Sequence, residues 1–292
     1  MLCGSQHYQS LFTVSDYTLN KCVECYLVQT YPLPAQESFD NLYDEEYFAK
    51  LACRKGEELV YHRRILHLIE QYKISGSMLE VGIGAGFFLE LAQQQGWSIQ
   101  GIEPSEAACR YVSQTVSVPI FNDTLEAAHL PPKSIDTIVL RHVLEHIAEP
   151  QMFMRELRRI LKDNGLICLV VPNFGGLHAR VERETWFHLS IPYHVAHYTK
   201  RPLQQLIDAN GFDVVRFMTT DLSCNSYLIT VLNILRHILQ LAPIRRNVNP
   251  SEINPKKSLQ HWLISKERII NSLMARIGLG EELTVLLKKR AT

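Results

Sequence analysis

The most constraining feature of this sequence is a short apolar segment that runs into three glycines at alternate positions. Residues 78–88 read MLEVGIGAGFF. Glycine has no Cβ and tolerates positive φ, so it suits positions where the backbone turns tightly or approaches a ligand closely. A strand, a glycine-rich turn and the start of a helix together form a nucleotide-binding crevice. The segment therefore predicts a bound nucleotide and leaves open which one.

Segments typical of strands and helices alternate along most of the chain. A continuously apolar strand at residues 166–171 suits a parallel sheet that is covered on both faces. The helix that begins at Pro150 is expected to close at Asn164 and Gly165. Such alternation predicts an α/β fold with a doubly wound, Rossmann-like sheet. The expected strands are residues 77–81, 97–102, 118–121, 136–140, 166–171, 212–219 and 283–287.

Composition excludes several classes of function. The 292 residues carry 30 Lys and Arg against 30 Asp and Glu, so no basic field favours nucleic acid or an anionic membrane. No uncharged apolar run is long enough for a membrane span, and no secretory leader is apparent. The seven cysteines are an odd number and suggest reduced thiols rather than a disulfide framework. We therefore expect a cytoplasmic protein.

Residues 1–40 are expected to form a small cysteine-containing segment ahead of the main domain at residues 41–292. Cys22 and Cys25 make one full Cys-x-x-Cys knuckle, and Cys3 precedes Gly4 as in the second half of another. Tetrahedral zinc needs four ligands, so this is a partial zinc ribbon. Either a further cysteine lies upstream of Met1, or Cys3, Cys22 and Cys25 bind zinc with His7. A small cap without metal is the alternative.

The residues around the glycines narrow the choice of nucleotide. A dinucleotide fold requires Gly-x-Gly-x-x-Gly, whereas Gly82, Gly84 and Gly86 are evenly spaced. Glu80, which precedes them, is unfavourable beside a pyrophosphate and suits a cofactor that carries a cationic amino group. Glu103 closes the second strand, where a carboxylate accepts both ribose hydroxyls. We therefore expect a free 2′-hydroxyl.

These motifs resemble those of class I S-adenosylmethionine-dependent methyltransferases over residues 57–219 and 281–289. The resemblance implies a seven-stranded methyltransferase sheet whose last strand, near residues 280–285, is antiparallel, with a helical insertion before it. It also implies that Glu80 and the backbone of residues 82–86 hold the methionine portion of the cofactor, and Glu103 the ribose. The remaining implied contacts are Asp123 with the adenine amino group, and Arg141 with His142 near the methyl-bearing sulfur.

Each of these acidic residues also has a simpler interpretation. Glu80 could cap the following helix, and Glu103 could be a solvated loop acid before a helix that starts with Pro-Ser. Asp123 precedes Thr-Leu-Glu and could be an ordinary helix cap.

Residues 140–147, LRHVLEHI, resemble a segment of small-molecule methyltransferases that act in ubiquinone biosynthesis and on sugars. Some ubiquinone-type relatives bind a divalent ion there through Glu-x-x-Glu-His. In this chain His142 replaces the first glutamate and is followed by Glu145 and His146, which disfavours that metal. The preferred interpretation is that His146 packs or hydrogen-bonds within the fold.

Residues 186–198 are the expected acceptor-binding loop, because they follow the fifth strand at the edge of the sheet where ligands bind. His188, His194 or His197 is a candidate general base, since imidazole titrates near neutral pH. Residues 222–277 hold two apolar-striped helices that are expected to form a lid over the acceptor or a homodimer surface.

The predicted function is direct methyl transfer from S-adenosylmethionine to an oxygen or carbon of a small molecule. Two other classes stay open. One is a cofactor-binding protein without catalysis that serves a partner, and the other is a nicotinamide-dependent oxidoreductase. The glycine spacing and Glu80 disfavour the oxidoreductase.

Overall fold

The computed structural model describes residues 2–34, 55–220 and 274–291. The helix expected at residues 44–50 and residues 222–273 of the expected insertion lie outside these ranges. The strands in chain order are β1 (Tyr8–Val14), β2 (Tyr17–Cys22), β3 (Val28–Tyr31), β4 (Ser77–Val81), β5 (Ser98–Ile102), β6 (Ile120–Phe121), β7 (Ile135–Arg141), β8 (Leu161–Pro172), β9 (Ala196–His197), β10 (Phe212–Thr220) and β11 (Glu282–Lys289).

Six α-helices lie in the described ranges, and short 3₁₀ turns connect some of the elements. None of these helices is both long and apolar enough to cross a lipid bilayer. The helices are α1 (Lys55–Glu70), α2 (Phe87–Gln94), α3 (Glu106–Ser113), α4 (Pro150–Ile160), α5 (Leu177–Glu182) and α6 (Lys200–Ala209).

The central sheet has seven strands in the order β10-β11-β8-β7-β4-β5-β6. Strand β11 pairs antiparallel with both β8 and β10. The pairs formed by β4, β5, β6, β7 and β8 are parallel. The prediction of an α/β sheet with an antiparallel last strand is therefore confirmed.

Apolar side chains cover both faces of this sheet, because successive residues of a strand point to opposite sides. On one face, Leu79 belongs to a buried cluster with residues of α4 and α6. On the other face, Met78 belongs to a cluster with residues of α1 and α2. Because both faces are covered, polar side chains can contact a ligand only at the ends of the strands.

Helix α4 ends earlier than the sequence suggested. It stops at Ile160, and Leu161 already has extended dihedral angles (φ −65°, ψ 138°). Leu161 pairs with Ile135 of β7, so sheet pairing replaces helical hydrogen bonds from that point. The Asn164-Gly165 pair therefore lies within β8 rather than closing the helix.

The N-terminal strands form a second, four-stranded sheet in the order β1-β2-β3-β9. The fourth strand comes from residues 196–197 of the expected acceptor loop, where Val28 pairs with His197 and Gln29 with Ala196. The N-terminal segment is thus joined to the main domain by backbone pairing.

Candidate active site

The glycine-rich turn joins β4 to α2 at the carboxyl end of the parallel strands. Gly82 has φ +75°, and a Cβ there would lie 2.5 Å from Val143 Cγ2. Gly84 has φ +52°, and a Cβ there would have no neighbour within 4 Å. Gly82 is therefore required for close packing, whereas Gly84 presents its backbone to open space that a ligand can occupy.

Glu80 and Arg141 form a buried ion pair between the adjacent strands β4 and β7. Arg141 Nη2 lies 2.7 Å from Glu80 Oε1, and Arg141 Nη1 lies 2.8 Å from His62 Nε2 of α1. Burial raises the pKa of Glu80 to about 7, although the Arg141 charge opposes this shift. The sequence predicted a cofactor contact for both residues, and the structure shows that they also neutralise each other.

Glu103 lies against the glycine-rich turn. Its Oε2 accepts a hydrogen bond from the Ile83 backbone N–H (3.1 Å), and its Oε1 accepts one from the Ser105 N–H (3.0 Å). Burial raises its pKa, and these backbone donors oppose the shift. Glu103 is only 5% exposed, so it is not a solvated loop acid.

Asp123 lies in the loop that follows β6 and is exposed. Its Oδ1 accepts a hydrogen bond from the Thr124 backbone N–H at 2.8 Å. Strand β6 pairs with β5 through Phe121 and Ile102, which places Asp123 near the end of β5, the strand that Glu103 follows. Its contact with an adenine stays a prediction.

His142 bridges two buried carboxylates. Its Nδ1 lies 3.2 Å from Glu145 Oε1, and its Nε2 lies 3.1 Å from Glu282 Oε1 at the start of β11. Burial disfavours the imidazolium, but the two carboxylates outweigh it and raise the pKa of His142 to about 10. His142 is therefore positively charged at neutral pH.

His188 stacks on His142 with ring centroids 5.7 Å apart and an interplanar angle of 5°. Its Nε2 lies 3.8 Å from Glu281 Oε2, which is too long for a hydrogen bond. Burial lowers the pKa of His188, so its imidazole is neutral beside the charged His142.

His194 and His197 are engaged elsewhere in the loop. His194 Nδ1 donates to the His188 carbonyl oxygen at 2.8 Å. The Thr30 hydroxyl donates to the His194 carbonyl oxygen and therefore accepts from His197 Nε2, at 3.0 Å. Burial lowers the pKa of His197 to about 4. The three candidate bases thus have different contacts, and of the three only His188 stacks on the His142 ring.

Within residues 2–34, 55–220 and 274–291, two groups of side chains could hold a metal ion. The ligand atoms of Glu145, His146 and His194 lie within 4.8 Å of one another, as do those of Cys3, Cys22 and Cys25. His142 does not belong to the first group and is paired with Glu145 and Glu282 instead, so the set differs from the pattern of ubiquinone-type relatives. His146 Nδ1 donates to the Tyr193 carbonyl oxygen at 2.9 Å, which agrees with a structural role.

The sequence interpretation missed several buried polar residues at the same edge of the sheet. Glu281 precedes the apolar strand β11 and Glu282 opens it, and two acids at that position were the available signal. His178 and Glu182 lie one helical turn apart in α5, 3.4 Å from each other. His62 lies on the buried side of α1, and no sequence pattern distinguished it from the other polar residues of that helix.

Comparison with known proteins decides the family. Residues 43–216, more than half of the chain, match the family model of a methyltransferase domain. The chain belongs to this methyltransferase family. The predicted class I S-adenosylmethionine-dependent methyltransferase is thereby confirmed at the level of family and fold.

Individual relatives agree with this assignment. A probable S-adenosylmethionine-dependent methyltransferase of Mycolicibacterium smegmatis is 26% identical over 63% of this chain and 66% of its own length. A Mycobacterium tuberculosis protein with the same description is 30% identical, but only 35% of its length is matched. A ubiquinone biosynthesis O-methyltransferase of Bradyrhizobium diazoefficiens is 26% identical over 44% of this chain and 49% of its length.

The fold is also that of a solved methyltransferase. The crystal structure of a SAM-dependent methyltransferase from Archaeoglobus fulgidus superposes with a TM-score of 0.55 at 20% identity. The superposition covers 84% of this chain and all of that chain. At this identity the likeness supports the fold alone.

Replacing Arg141 with methionine should destabilise the protein in a pH-dependent way. Glu80 would be left buried without its partner charge, and we expect a loss of about 3–5 kcal/mol in the free energy of unfolding at pH 8. Burial raises the pKa of Glu80 in the folded state to about 7, so the folded state binds more protons than the unfolded state. The free energy of unfolding therefore falls as the pH rises from the unfolded-state pKa toward the folded-state pKa. The loss should therefore shrink at pH 5.

Urea unfolding of wild type and variant at both pH values measures this difference. The matched control is Arg159→Met, which removes a half-exposed guanidinium that pairs with Glu156. A loss that is equal in the two variants, or that does not change with pH, contradicts the assignment.

Proposed function

We propose that the protein transfers the methyl group of S-adenosylmethionine to an oxygen or carbon of a small molecule. One observation carries the proposal: the carboxylate of Glu103 is held against the glycine-rich turn through the Ile83 N–H. A carboxylate in this position can accept hydrogen bonds from ribose hydroxyls, and the glycines of the turn let the ligand approach the backbone. Ubiquinone biosynthesis O-methyltransferases among the relatives favour an oxygen acceptor.

The side chains around the turn fit this cofactor. Glu80 Oε2 is buried and has no hydrogen-bond partner among the described residues, so it can accept a bond from an amino group. Glu103 uses one lone pair of each oxygen on the backbone and retains others for ribose hydroxyls. Gly84 leaves open space beside both.

S-adenosylmethionine, when bound, supplies a methyl group on a sulfonium centre that is already a good leaving group. The protein therefore has to orient the acceptor, exclude water and remove one proton. We assign the last role to His188, because its imidazole is neutral and can accept a proton from a hydroxyl or an acidic carbon. The neighbouring His142 is already protonated and cannot do so.

Changing Glu103 to glutamine should weaken cofactor binding by about 10- to 100-fold, because a charged acceptor of two hydrogen bonds is lost. Isothermal titration with S-adenosylhomocysteine measures the affinity. Glu106→Gln is the matched control, since this exposed residue on α3 pairs only with Arg110 among the described residues. Unchanged affinity in Glu103→Gln, or thermal stabilisation by NAD rather than by S-adenosylhomocysteine, argues against the proposal.

Changing His188 to glutamine should leave affinity for S-adenosylhomocysteine unchanged and lower kcat by about 10²- to 10⁴-fold, the usual contribution of a general base. The assay is release of S-adenosylhomocysteine with a panel of phenolic, hydroxylated and acidic-carbon acceptors. His67→Gln on the exposed face of α1 is the control. Retained kcat excludes His188 as the base, and no turnover of wild type on the panel favours the non-catalytic alternative.

We further propose that residues 1–40 form a zinc-binding segment ahead of a methyltransferase domain at residues 41–292. The Tyr26 N–H donates to the Cys22 carbonyl oxygen and closes the turn that brings Cys25 back beside Cys22. Cys3 Sγ lies 3.5 Å from Cys22 Sγ. Sulfurs bound to one tetrahedral zinc at ~2.3 Å lie about 3.8 Å apart, so these residues fit the ion.

Purified protein should contain about one zinc ion per chain, because the sulfur atoms of three cysteines already converge and a fourth ligand completes the site. Elemental analysis measures the content, and Cys25→Ser should abolish it while Cys168→Ala in β8 should not. The same measurement on a chain extended upstream of Met1 tests whether the fourth ligand lies there. Metal-free protein in both forms contradicts zinc binding.

A further inference from the structure

A cavity of about 1130 Å³ opens at the carboxyl end of the edge strand β10. Its described lining includes Asn173 after β8 and residues 217–220 of β10, and it contains no aspartate or glutamate. Six cationic side chains surround it, namely Arg64, Arg180, Lys200, Arg201, Arg216 and Arg276.

These cations are not neutralised by the described part of the chain. No described carboxylate lies within 4 Å of any of the six, and the Arg216 guanidinium donates to the neutral side-chain amide of Gln71. Lys200 lies 5.1 Å from the Phe217 ring centroid, and Arg201 lies 3.9 Å from that of Tyr26. Positive charge that is gathered in a concave space attracts anions strongly.

The cations approach the cavity from both faces of the sheet. Arg64 lies on α1, whereas Lys200 and Arg201 begin α6, and these helices pack on opposite faces. The charge therefore surrounds a groove at the sheet edge rather than forming a flat stripe. Such a shape suits a compact anion better than a membrane or a nucleic-acid backbone.

The composition of the cluster favours phosphate. Five of the six cations are arginines, and a guanidinium binds phosphate through two parallel hydrogen bonds. The hydroxyl of Thr199 also lines the cavity and can donate to a phosphate oxygen. The volume slightly exceeds the ~300–1,000 Å³ of small-molecule sites, so more than a single phosphate can be accommodated.

The cavity is connected to the candidate active site through one carboxylate. Thr220 donates to Glu282 Oε2 at 3.1 Å, and the other oxygen of Glu282 lies 3.1 Å from His142 Nε2. His142 in turn stacks on His188. The side chains of Thr220 and Glu282 thus lie between the cavity and the imidazole pair.

We propose that this cavity binds a phosphate or diphosphate group of the methyl acceptor, so that the acceptor is a phosphorylated small molecule. The assignment of the ligand as the acceptor rests on the methyl-transfer function proposed above. The six cations would anchor the acceptor at the edge of the sheet and leave its reactive end free to reach His188.

The test uses inorganic pyrophosphate as the probe and the full-length chain. Isothermal titration at constant ionic strength should detect pyrophosphate binding that an Arg180→Gln/Arg276→Gln double variant weakens at least about tenfold, as expected when charged hydrogen bonds are lost. Arg110→Gln on α3 is the matched control and should not change it. Arg180→Lys/Arg276→Lys keeps the charge and should retain partial affinity.

Three results would overturn the proposal. The first is that pyrophosphate does not bind, and the second is that Arg110→Gln weakens pyrophosphate binding as much as the double variant does. The third is that sulfate binds as tightly as pyrophosphate at the same ionic strength, which would indicate general charge attraction.

Sedimentation with phosphatidylglycerol vesicles tests whether the phosphate group belongs to a lipid headgroup instead. Vesicle binding that depends on Arg180 and Arg276 and that pyrophosphate does not displace would contradict a small-molecule ligand.

Binding of S-adenosylhomocysteine, measured in the same samples, separates the two proposals. Intact cofactor binding without pyrophosphate binding would overturn the cavity assignment alone. Pyrophosphate binding without cofactor binding would instead overturn methyl transfer, and with it the identity of the anion as an acceptor. We expect both ligands to bind, with the double variant affecting only pyrophosphate.

Discussion

Ion pairs between buried carboxylates and buried cationic side chains set the geometry of the candidate site. A carboxylate that leaves water is costly unless a cation or several hydrogen bonds compensate it. Arg141 compensates Glu80, and the charged His142 compensates two acids at once. These pairs fix the ends of β7 and β11 relative to the glycine-rich turn. In the described ranges the buried glutamates are Glu80, Glu103, Glu145, Glu182, Glu281 and Glu282.

The position of Glu103 against the glycine-rich turn was predictable because its information is local. The glycine spacing fixes a turn, and Glu103 follows the next strand of a parallel sheet, so strand order alone brings them together. The surroundings of His142 were not predictable in the same way. His142 and Glu282 are 140 residues apart in sequence, and only the antiparallel insertion of β11 beside β8 places them in contact.

The helix boundary at Ile160 shows the same division between local and tertiary information. Asn-Gly is a common helix terminator, but here the pairing of Leu161 with Ile135 extends the strand through it.

The net charge also did not predict how the charges are distributed. The numbers of acidic and basic residues are equal, but in the described ranges the fold buries six glutamates and leaves six cations around one cavity.

The pairing of β3 with β9 means that the two sheets share the loop that carries His188 and His194. Thr30 completes this connection, because its hydroxyl links the backbone of His194 to the ring of His197. The family model begins at residue 43 and so omits β3. A chain trimmed to that boundary would keep the glycine-rich turn but lose the strand that pairs with β9. Changes in the first thirty or so residues would thus act on the loop that carries His188 and His194 and leave the glycine-rich turn unaltered.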